Sequence, residues 1–326
     1  MGINYRNQMG GGKSSTISAI RFISMLLIVT CHIFQYYDNP LCRWLNVGVQ
    51  IFFIISGFLY ASKTIYDPID FFKKQIRKIL PSYYVFLVFA IIMYVVFCRD
   101  ILTVSTVIKS LFCVGTIKGL GHLWFVGYIL FCYFLTPYLC SFRDSIKEKK
   151  MLTKIVYYIG LILFVQVIGF LLSSYFLPDR IACYIIGFVL ADLYRTLTRL
   201  ESVIMDGILI LIGIVLNVIR GYMEYNGIEI SQTLVNAYVR YAHLFLGLSI
   251  FLILKIILAN IKYNYLYNWS DKYSYHFYIV HLLFILSPFT LMNVTGFAPI
   301  NCVLAVFASL ISAVILFQVT SIVAKK

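Results

Sequence analysis

Residues 17–36 read ISAIRFISMLLIVTCHIFQY, an apolar segment of the length that spans a bilayer. Two ionisable residues, Arg21 and His32, lie within it. Ionisable side chains at membrane depth are costly, and they usually face the interior of a helix bundle or a wet cavity where they have a function. The step of eleven residues from Arg21 to His32 makes about three helical turns, which places both on one helix face, roughly 16 Å apart along the axis. The segment therefore predicts a membrane helix with a functional face.

The rest of the chain has the composition of a membrane protein. Of its 326 residues, 61% are hydrophobic and only 12% are charged, whereas a soluble domain is typically about 25% charged. The apolar residues form repeated runs of about 20 residues, which indicates several membrane spans. The first run flows into further membrane segments and has no cleavable signal-peptide pattern, so we interpret it as a span.

The apolar runs predict an all-α, polytopic membrane helix bundle in which one integral-membrane domain fills residues 1–326, with no repeat and no appended soluble domain. About ten spans are expected, at 17–36, 44–62, 79–98, 122–140, 152–173, 180–195, 203–220, 238–259, 272–289 and 299–322. The stretch 101–116 is apolar but short and contains Lys109, so we expect an interfacial or re-entrant segment there.

The basic residues indicate the orientation. The net charge is +14, but the cations lie at the ends of apolar segments, which fits membrane topology better than nucleic-acid binding. Seventeen Lys and Arg residues lie on one set of ends, and seven lie on the opposite set: Arg43, Arg99, Lys109, Lys118, Arg180, Arg220 and Arg240. This bias predicts cytoplasmic termini in an inner or plasma membrane, with Arg21 one turn inside the cytoplasmic boundary and His32 toward the external leaflet.

Polar side chains on the second and third spans suggest binding functions. Gln50 and Ser56 interrupt an otherwise apolar helix, although such residues also serve helix packing. Lys73, Lys74 and Arg77 crowd the cytoplasmic end of the third span together with Lys78, where they could hold a polyphosphate. The alternative is that these cations only set the topology.

Later spans carry the other candidate residues. His122 and Trp124 open the fourth span, and His276 and His281 lie on the ninth. For each histidine the alternative is an imidazole bonded to a neighbouring group, as it also is for His32; for Arg21 it is a snorkelling side chain, and for Trp124 an interfacial belt residue. The chain has no P-loop, GxSxG, HExxH or carboxylate cluster, and its eight cysteines form no CxxC, so we expect no metal.

Taken in order, these segments resemble the acyltransferase 3 family of integral-membrane acyltransferases. The motifs that carry the resemblance are Arg21 to His32, the stretch GVQIFFIISGF at 48–58, the basic stretch 71–83 ending in Pro-Ser-Tyr, GHLWF at 121–125, and SYHFYIVH at 274–281. The chain departs from many members in having Gln50 instead of Asp and Lys73-Lys74 instead of Arg-Arg.

The resemblance implies transfer of an acyl group, most simply acetyl from acetyl-CoA, to a hydroxyl of a cell-surface or lipid-linked glycan. His32, as general base or as acyl carrier, and Arg21 would be catalytic. Lys73, Lys74 and Arg77 would hold the acyl-CoA, and the residues that support the site would be Gln50, Ser56, His122, Trp124, Tyr275 and His281. The expected partners are membrane lipid, the glycan acceptor and polysaccharide-assembly proteins, with no nucleic acid. The alternative is a polytopic transporter or flippase of glycan or lipid precursors, which would make no covalent change.

Overall fold

The computed structural model describes residues 14–171, 178–227, 232–262 and 264–323, apart from the side chains of 170, 232–236 and 323. Four residues on which the orientation prediction depends lie outside these ranges: Arg6, Lys13, Lys325 and Lys326. The α-helices of the described ranges are α1 Ser15–Tyr36, α2 Cys42–Leu45, α3 Gly48–Tyr60, α4 Pro68–Phe97, α5 Val104–Leu111, α6 Trp124–Ser145, α7 Met151–Leu171, α8 Pro178–Leu193, α9 Arg199–Tyr225, α10 Gln232–Ile257, α11 Tyr265–Ile285 and α12 Ala298–Val323. Short 3₁₀ turns at Arg99–Ile101 and Gly121–Leu123 precede α5 and α6.

Eight helical segments of the described ranges are long and apolar enough to cross a membrane: Ser15–Tyr36, Cys42–Tyr60, Pro68–Phe97, Gly121–Ser145, Met151–Gly169, Arg199–Tyr225, Ala237–Ile257 and Ala298–Ile322. The predicted all-α, polytopic membrane bundle is thereby confirmed. The two other predicted spans are α8, which has only 16 residues, and α11, which begins with a polar half. Both helices are largely buried among their neighbours, so neither needs a long apolar surface for lipid.

The third span begins earlier than the hydropathy pattern indicates. Asp67 caps α4 by accepting hydrogen bonds from the backbone N–H groups of Ile69 and Asp70, and Pro68 occupies the first turn, where proline is favoured. The helix therefore runs through the whole basic stretch. The predicted span 79–98 would place Pro81 near its start, where a missing N–H costs little. Pro81 instead lies inside α4, where its missing N–H removes one helical hydrogen bond.

The described chain divides into two compact units. Unit 1 takes in the chain up to Leu27, Asn46–Thr64 and Thr136–Tyr267, and it is built around α3 and α8. A Cβ added at Gly57 would lie 1.9 Å from the carbonyl oxygen of Tyr184, and one added at Gly187 would lie 2.0 Å from that of Ile54. Only glycine allows the two backbones this approach, as in other small-residue contacts between membrane helices.

Unit 2 takes in Ile28–Leu45, Ile65–Leu135 and Asn268–Lys326. In it the chain leaves the end of α4 and turns back along the same helix. The Tyr83 hydroxyl donates to the Ser110 carbonyl at 2.5 Å and that of Tyr94 to the Lys118 carbonyl at 2.8 Å. Tyr83 lies fourteen residues before Phe97, about 21 Å along the helix axis. α5 thus runs back beside α4 to the level of Tyr83, and the residues after it return to the level of Tyr94. This path favours the re-entrant alternative for 101–116.

Candidate active site

Three histidines from distant parts of the sequence meet in unit 2. The ring centroids of His32 and His281 are 5.3 Å apart, and those of His122 and His281 are 5.0 Å apart. His32 lies in the last turns of α1, His122 in the 3₁₀ turn before α6, and His281 in α11. We call these three residues the imidazole cluster. Each was a separate candidate in the sequence, and the fold brings all three together.

The hydrogen bonds of the two deeper rings determine which nitrogen carries the proton. His122 Nε2 lies 2.8 Å from the Ile279 carbonyl oxygen, and His281 Nδ1 lies 2.7 Å from the Tyr278 carbonyl oxygen. A carbonyl oxygen only accepts, so these two nitrogens donate. In a neutral imidazole the other nitrogen then has a free lone pair. His122 Nδ1 and His281 Nε2 are buried and have no hydrogen-bond partner among the described residues.

His32 differs from its neighbours in accessibility. His281 is 0% exposed and His122 is 4% exposed, whereas His32 is partly exposed. Its Nδ1 lies 3.0 Å from Oε1 of Gln35, one turn further along α1. His32 is therefore the most accessible ring of the imidazole cluster.

Aromatic side chains enclose the imidazole cluster. The Phe277 ring stacks on His281 with an interplanar angle of 9°, and Tyr278 lies edge-on to His122. The Tyr278 hydroxyl donates to the His122 backbone carbonyl at 2.6 Å, which ties α11 to the 3₁₀ turn before α6. Trp124 contacts the rings of Phe125 and Tyr128 and supports the start of α6. These contacts hold the imidazoles in an apolar surrounding.

The predicted donor-binding cations lie on the first turns of α4, also in unit 2. Lys73, Lys74 and Arg77 are exposed on this helix. Lys74 forms an exposed ion pair with Asp70 at 2.8 Å, which reduces the positive charge available there. We call Lys73, Lys74 and Arg77 the cationic group.

Contacts between α4 and α11 relate the cationic group to the imidazole cluster. The Tyr275 hydroxyl donates to the Ile79 carbonyl at 3.1 Å, so these two residues lie at a similar level of unit 2. Arg77 is two residues before Ile79, and His281 is six residues after Tyr275. Ser82 and His276, which lie further along α4 and α11, are also bonded to each other, which indicates that the two helices run in the same direction, so at the α-helical rise Arg77 and His281 are about 12 Å apart along the helix axes. Tyr275 thus joins the two helices and is not one of the rings of the imidazole cluster.

Three predicted site residues belong to unit 1. Arg21 lies in the unit 1 part of α1, and Gln50 and Ser56 lie in α3. The Ser56 hydroxyl donates to the carbonyl of Phe52 in its own helix, which is a local packing contact. Gln50 is 1% exposed, and its Oε1 has no hydrogen-bond partner in the described chain.

A comparison with protein families decides the class of the protein. The acyltransferase 3 profile, described as an acyltransferase domain, matches residues 15–320. The chain belongs to the acyltransferase 3 family. It is an enzyme that transfers acyl groups other than amino-acyl groups. No curated protein and no solved structure matched the chain.

The family match extends through both units and includes every residue of the imidazole cluster and the cationic group. In the part of this acyltransferase that the structure describes, no group of three His, Cys, Asp or Glu side chains is placed to hold a metal ion. Sequence reasoning missed Gln35, the partner of His32. The only available signal was its spacing of three residues from His32, which places both side chains on one face of a helix.

Proposed function

We propose that this acyltransferase moves an acyl group, in the simplest case acetyl, from cytoplasmic acyl-CoA to a hydroxyl of a cell-surface or lipid-linked glycan. The observation that carries the proposal is the imidazole cluster with its free lone pairs. A neutral imidazole nitrogen accepts hydrogen bonds, and a sugar hydroxyl is a donor that suits it. Acyl transfer to a hydroxyl needs a base, which histidine provides near neutral pH.

In the proposed step, His32 Nε2 takes the proton of the acceptor hydroxyl. The hydroxyl oxygen then attacks the thioester carbonyl, the new C–O ester bond forms, and the C–S bond breaks. The imidazolium returns its proton to the leaving CoA thiolate. His122 and His281 orient the acceptor by accepting hydrogen bonds from it.

The cationic group suits the other end of the donor. The phosphates of acyl-CoA are anionic, and Lys and Arg side chains bind such groups through charge-assisted hydrogen bonds. Phosphates held at Arg77 would leave the flexible arm of the donor to cover the roughly 12 Å to the level of His281. Arg21 would be the second catalytic residue, because by sequence spacing it lies on the face of α1 that carries His32.

The proposal includes an orientation and partners. Both termini would face the cytoplasm, with His32 toward the outer leaflet of an inner or plasma membrane. Membrane lipid and the glycan would be its immediate partners, and polysaccharide-assembly proteins would supply the acceptor.

The direct test compares the surface glycan of a deletion strain with that of the same strain carrying the gene. Mass spectrometry should find one additional acyl group per repeat only when the gene is present. For acetyl, ester formation at a hydroxyl increases the mass by about 42 Da. Unchanged glycan mass in both strains would contradict the proposal and favour a transporter.

The orientation has its own test. After replacement of the native Cys42, a cysteine introduced by Asn39→Cys should react with an impermeant thiol reagent from outside, and a reporter fused after Lys326 should behave as cytoplasmic. Labelling of residue 39 only from inside would contradict the proposed route from a cytoplasmic donor to an external acceptor.

A further inference from the structure

We infer that Gln35 is a positioning residue: its amide oxygen holds the proton of His32 on Nδ1 and so keeps the Nε2 lone pair available to take a proton. The inference rests on the proposed function, because it concerns the base of that reaction. The observation that motivates it is the 3.0 Å separation between Gln35 Oε1 and His32 Nδ1.

The three rings of the imidazole cluster share one arrangement. In each ring one nitrogen lies within 3.0 Å of an oxygen: a backbone carbonyl for His122 and His281, and the side-chain amide of Gln35 for His32. In each of the two deeper rings the second nitrogen has no partner among the described residues. The arrangement at His32 therefore matches that of its neighbours, with a side chain in place of the carbonyl.

The chemistry explains why such an oxygen matters. A neutral imidazole has one donor and one acceptor nitrogen, and the bond that one nitrogen makes decides the state of the other. If Nδ1 carries the proton, Nε2 is the basic nitrogen. Catalytic histidines commonly have a third group that orients them in this way. Gln35 provides an acceptor without adding a charge to an apolar surrounding.

The position of Gln35 makes the inference testable without disturbing the fold. Its side chain is exposed, and it lies on the same helix as His32. Gln35→Met keeps length and removes hydrogen bonding, Gln35→Glu keeps only acceptors, and Gln35→Lys keeps only donors. Gln318→Met, at an exposed glutamine of α12 in the same unit, is the matched control.

The experiment measures initial rates of label transfer from [14C]acetyl-CoA to glycan in membranes of the native strain, normalised to the amount of each variant. Gln35→Met and Gln35→Lys should lower kcat roughly 10–100-fold, less than the loss of general-base catalysis itself. The KM for acetyl-CoA should stay within about twofold, because the donor phosphates bind elsewhere. Gln35→Glu should stay within about threefold of the unmodified protein, and Gln318→Met should match it.

Wild-type kcat in Gln35→Met would overturn the inference, and so would equal losses in Gln35→Glu and Gln35→Lys. A Lys variant more active than the Glu variant would also overturn it, since the proton would then belong on Nε2. His32→Ala in the same assay distinguishes failure of this inference from failure of the proposed function. If His32→Ala is inactive while Gln35→Met is fully active, only the positioning role is wrong; if His32→Ala is fully active, the proposed function of His32 itself is wrong.

Discussion

The two units differ in the partners of their buried ionisable side chains. In unit 1 a buried ion pair lies between helices: Lys255 lies 2.8 Å from Asp206, and the Tyr194 hydroxyl bonds to both. In His243 of unit 1 the acceptor nitrogen is used, because Arg220 donates to its Nδ1 at 3.3 Å, and the nitrogen without a partner in the described chain, Nε2, is the one that carries the proton. In unit 2 the nitrogens of the imidazole cluster that lack partners in the described chain, Nδ1 of His122 and Nε2 of His281, are acceptors.

This difference separates structural from chemical roles. A buried charge with its partner joins helices, and its loss leaves the partner unsatisfied. A buried acceptor without a partner has a cost in the resting protein, and that cost is retained where a ligand later supplies the missing donor. Unit 1 also contains atoms without partners among the described residues, such as Gln50 Oε1 and His243 Nε2, but it has one histidine, whereas three imidazole rings meet in unit 2. We therefore assign the chemistry to unit 2.

The largest expected effect is on stability, in unit 1. Lys255→Met leaves the Asp206 carboxylate unpaired among α8, α9 and α10, and breaking such a pair typically costs about 3–5 kcal/mol. Thermal unfolding of the purified protein in detergent should show a large decrease in Tm. Adding Asp206→Asn to Lys255→Met should restore much of the stability. If Lys255→Met alone is as stable as the unmodified protein, the ion pair with Asp206 has no structural role, and that part of the contrast between the two units is wrong.

The next effect is on the rate, in unit 2. His281→Phe keeps a flat ring to stack on Phe277 but loses the free nitrogen. Acyl transfer should fall about 30-fold, or ~2 kcal/mol, because an acceptor hydroxyl loses its hydrogen bond, while Tm should stay nearly constant. The control is His276→Phe on the same helix: its Nε2 is bonded to Ser82 at 3.0 Å, and its Nδ1 also has no partner in the described chain, but it lies outside the imidazole cluster. Equal rates for the two variants would contradict the special role of the imidazole cluster.

A smaller effect concerns the donor. Arg77→Ala should raise the KM for acyl-CoA about tenfold, since a charge-assisted hydrogen bond contributes on the order of 1.5 kcal/mol. High salt should weaken binding in the same direction, because the cationic group is exposed. Arg99→Ala, at the other end of α4, should leave the KM unchanged. If both variants bind acyl-CoA like the unmodified protein, the donor phosphates lie elsewhere.

The smallest effect tests whether Asp70 competes with the donor for Lys74. Their ion pair is exposed, with side-chain exposures of 53% and 69%, so its contribution is at most about 1 kcal/mol. Asp70→Asn should release Lys74 and lower the KM for acyl-CoA about twofold. A raised KM in steady-state kinetics would show that Asp70 orders the cationic group and does not compete with it.

The sequence predicts the bundle well because long apolar runs have few alternatives in a membrane. It predicts α8 and α11 as spans, but their length and polarity reflect burial among other helices, which hydropathy does not report. The early start of α4 has a local signal, Asp67-Pro68, that matches a helix cap followed by a first-turn proline. Hydropathy alone placed that boundary inside the helix.

The candidate site is predictable residue by residue but not as an arrangement. His32, His122 and His281 each attract notice as histidines in or near apolar runs. Their meeting depends on the packing of α1, α6 and α11, which no local pattern encodes. Gln35 has a role only once the His32 ring is placed, so composition and motif could not select it.

The most direct test compares one histidine from each unit in the same transfer assay. His32→Ala should lower label transfer from [14C]acetyl-CoA to glycan at least about 100-fold, as expected for loss of a general base, with a nearly constant Tm. His243→Gln in unit 1 should retain transfer per folded molecule, because His243 lies in a structural contact with Arg220. A His32→Ala variant that transfers at the unmodified rate would contradict the assignment of the chemistry to the imidazole cluster.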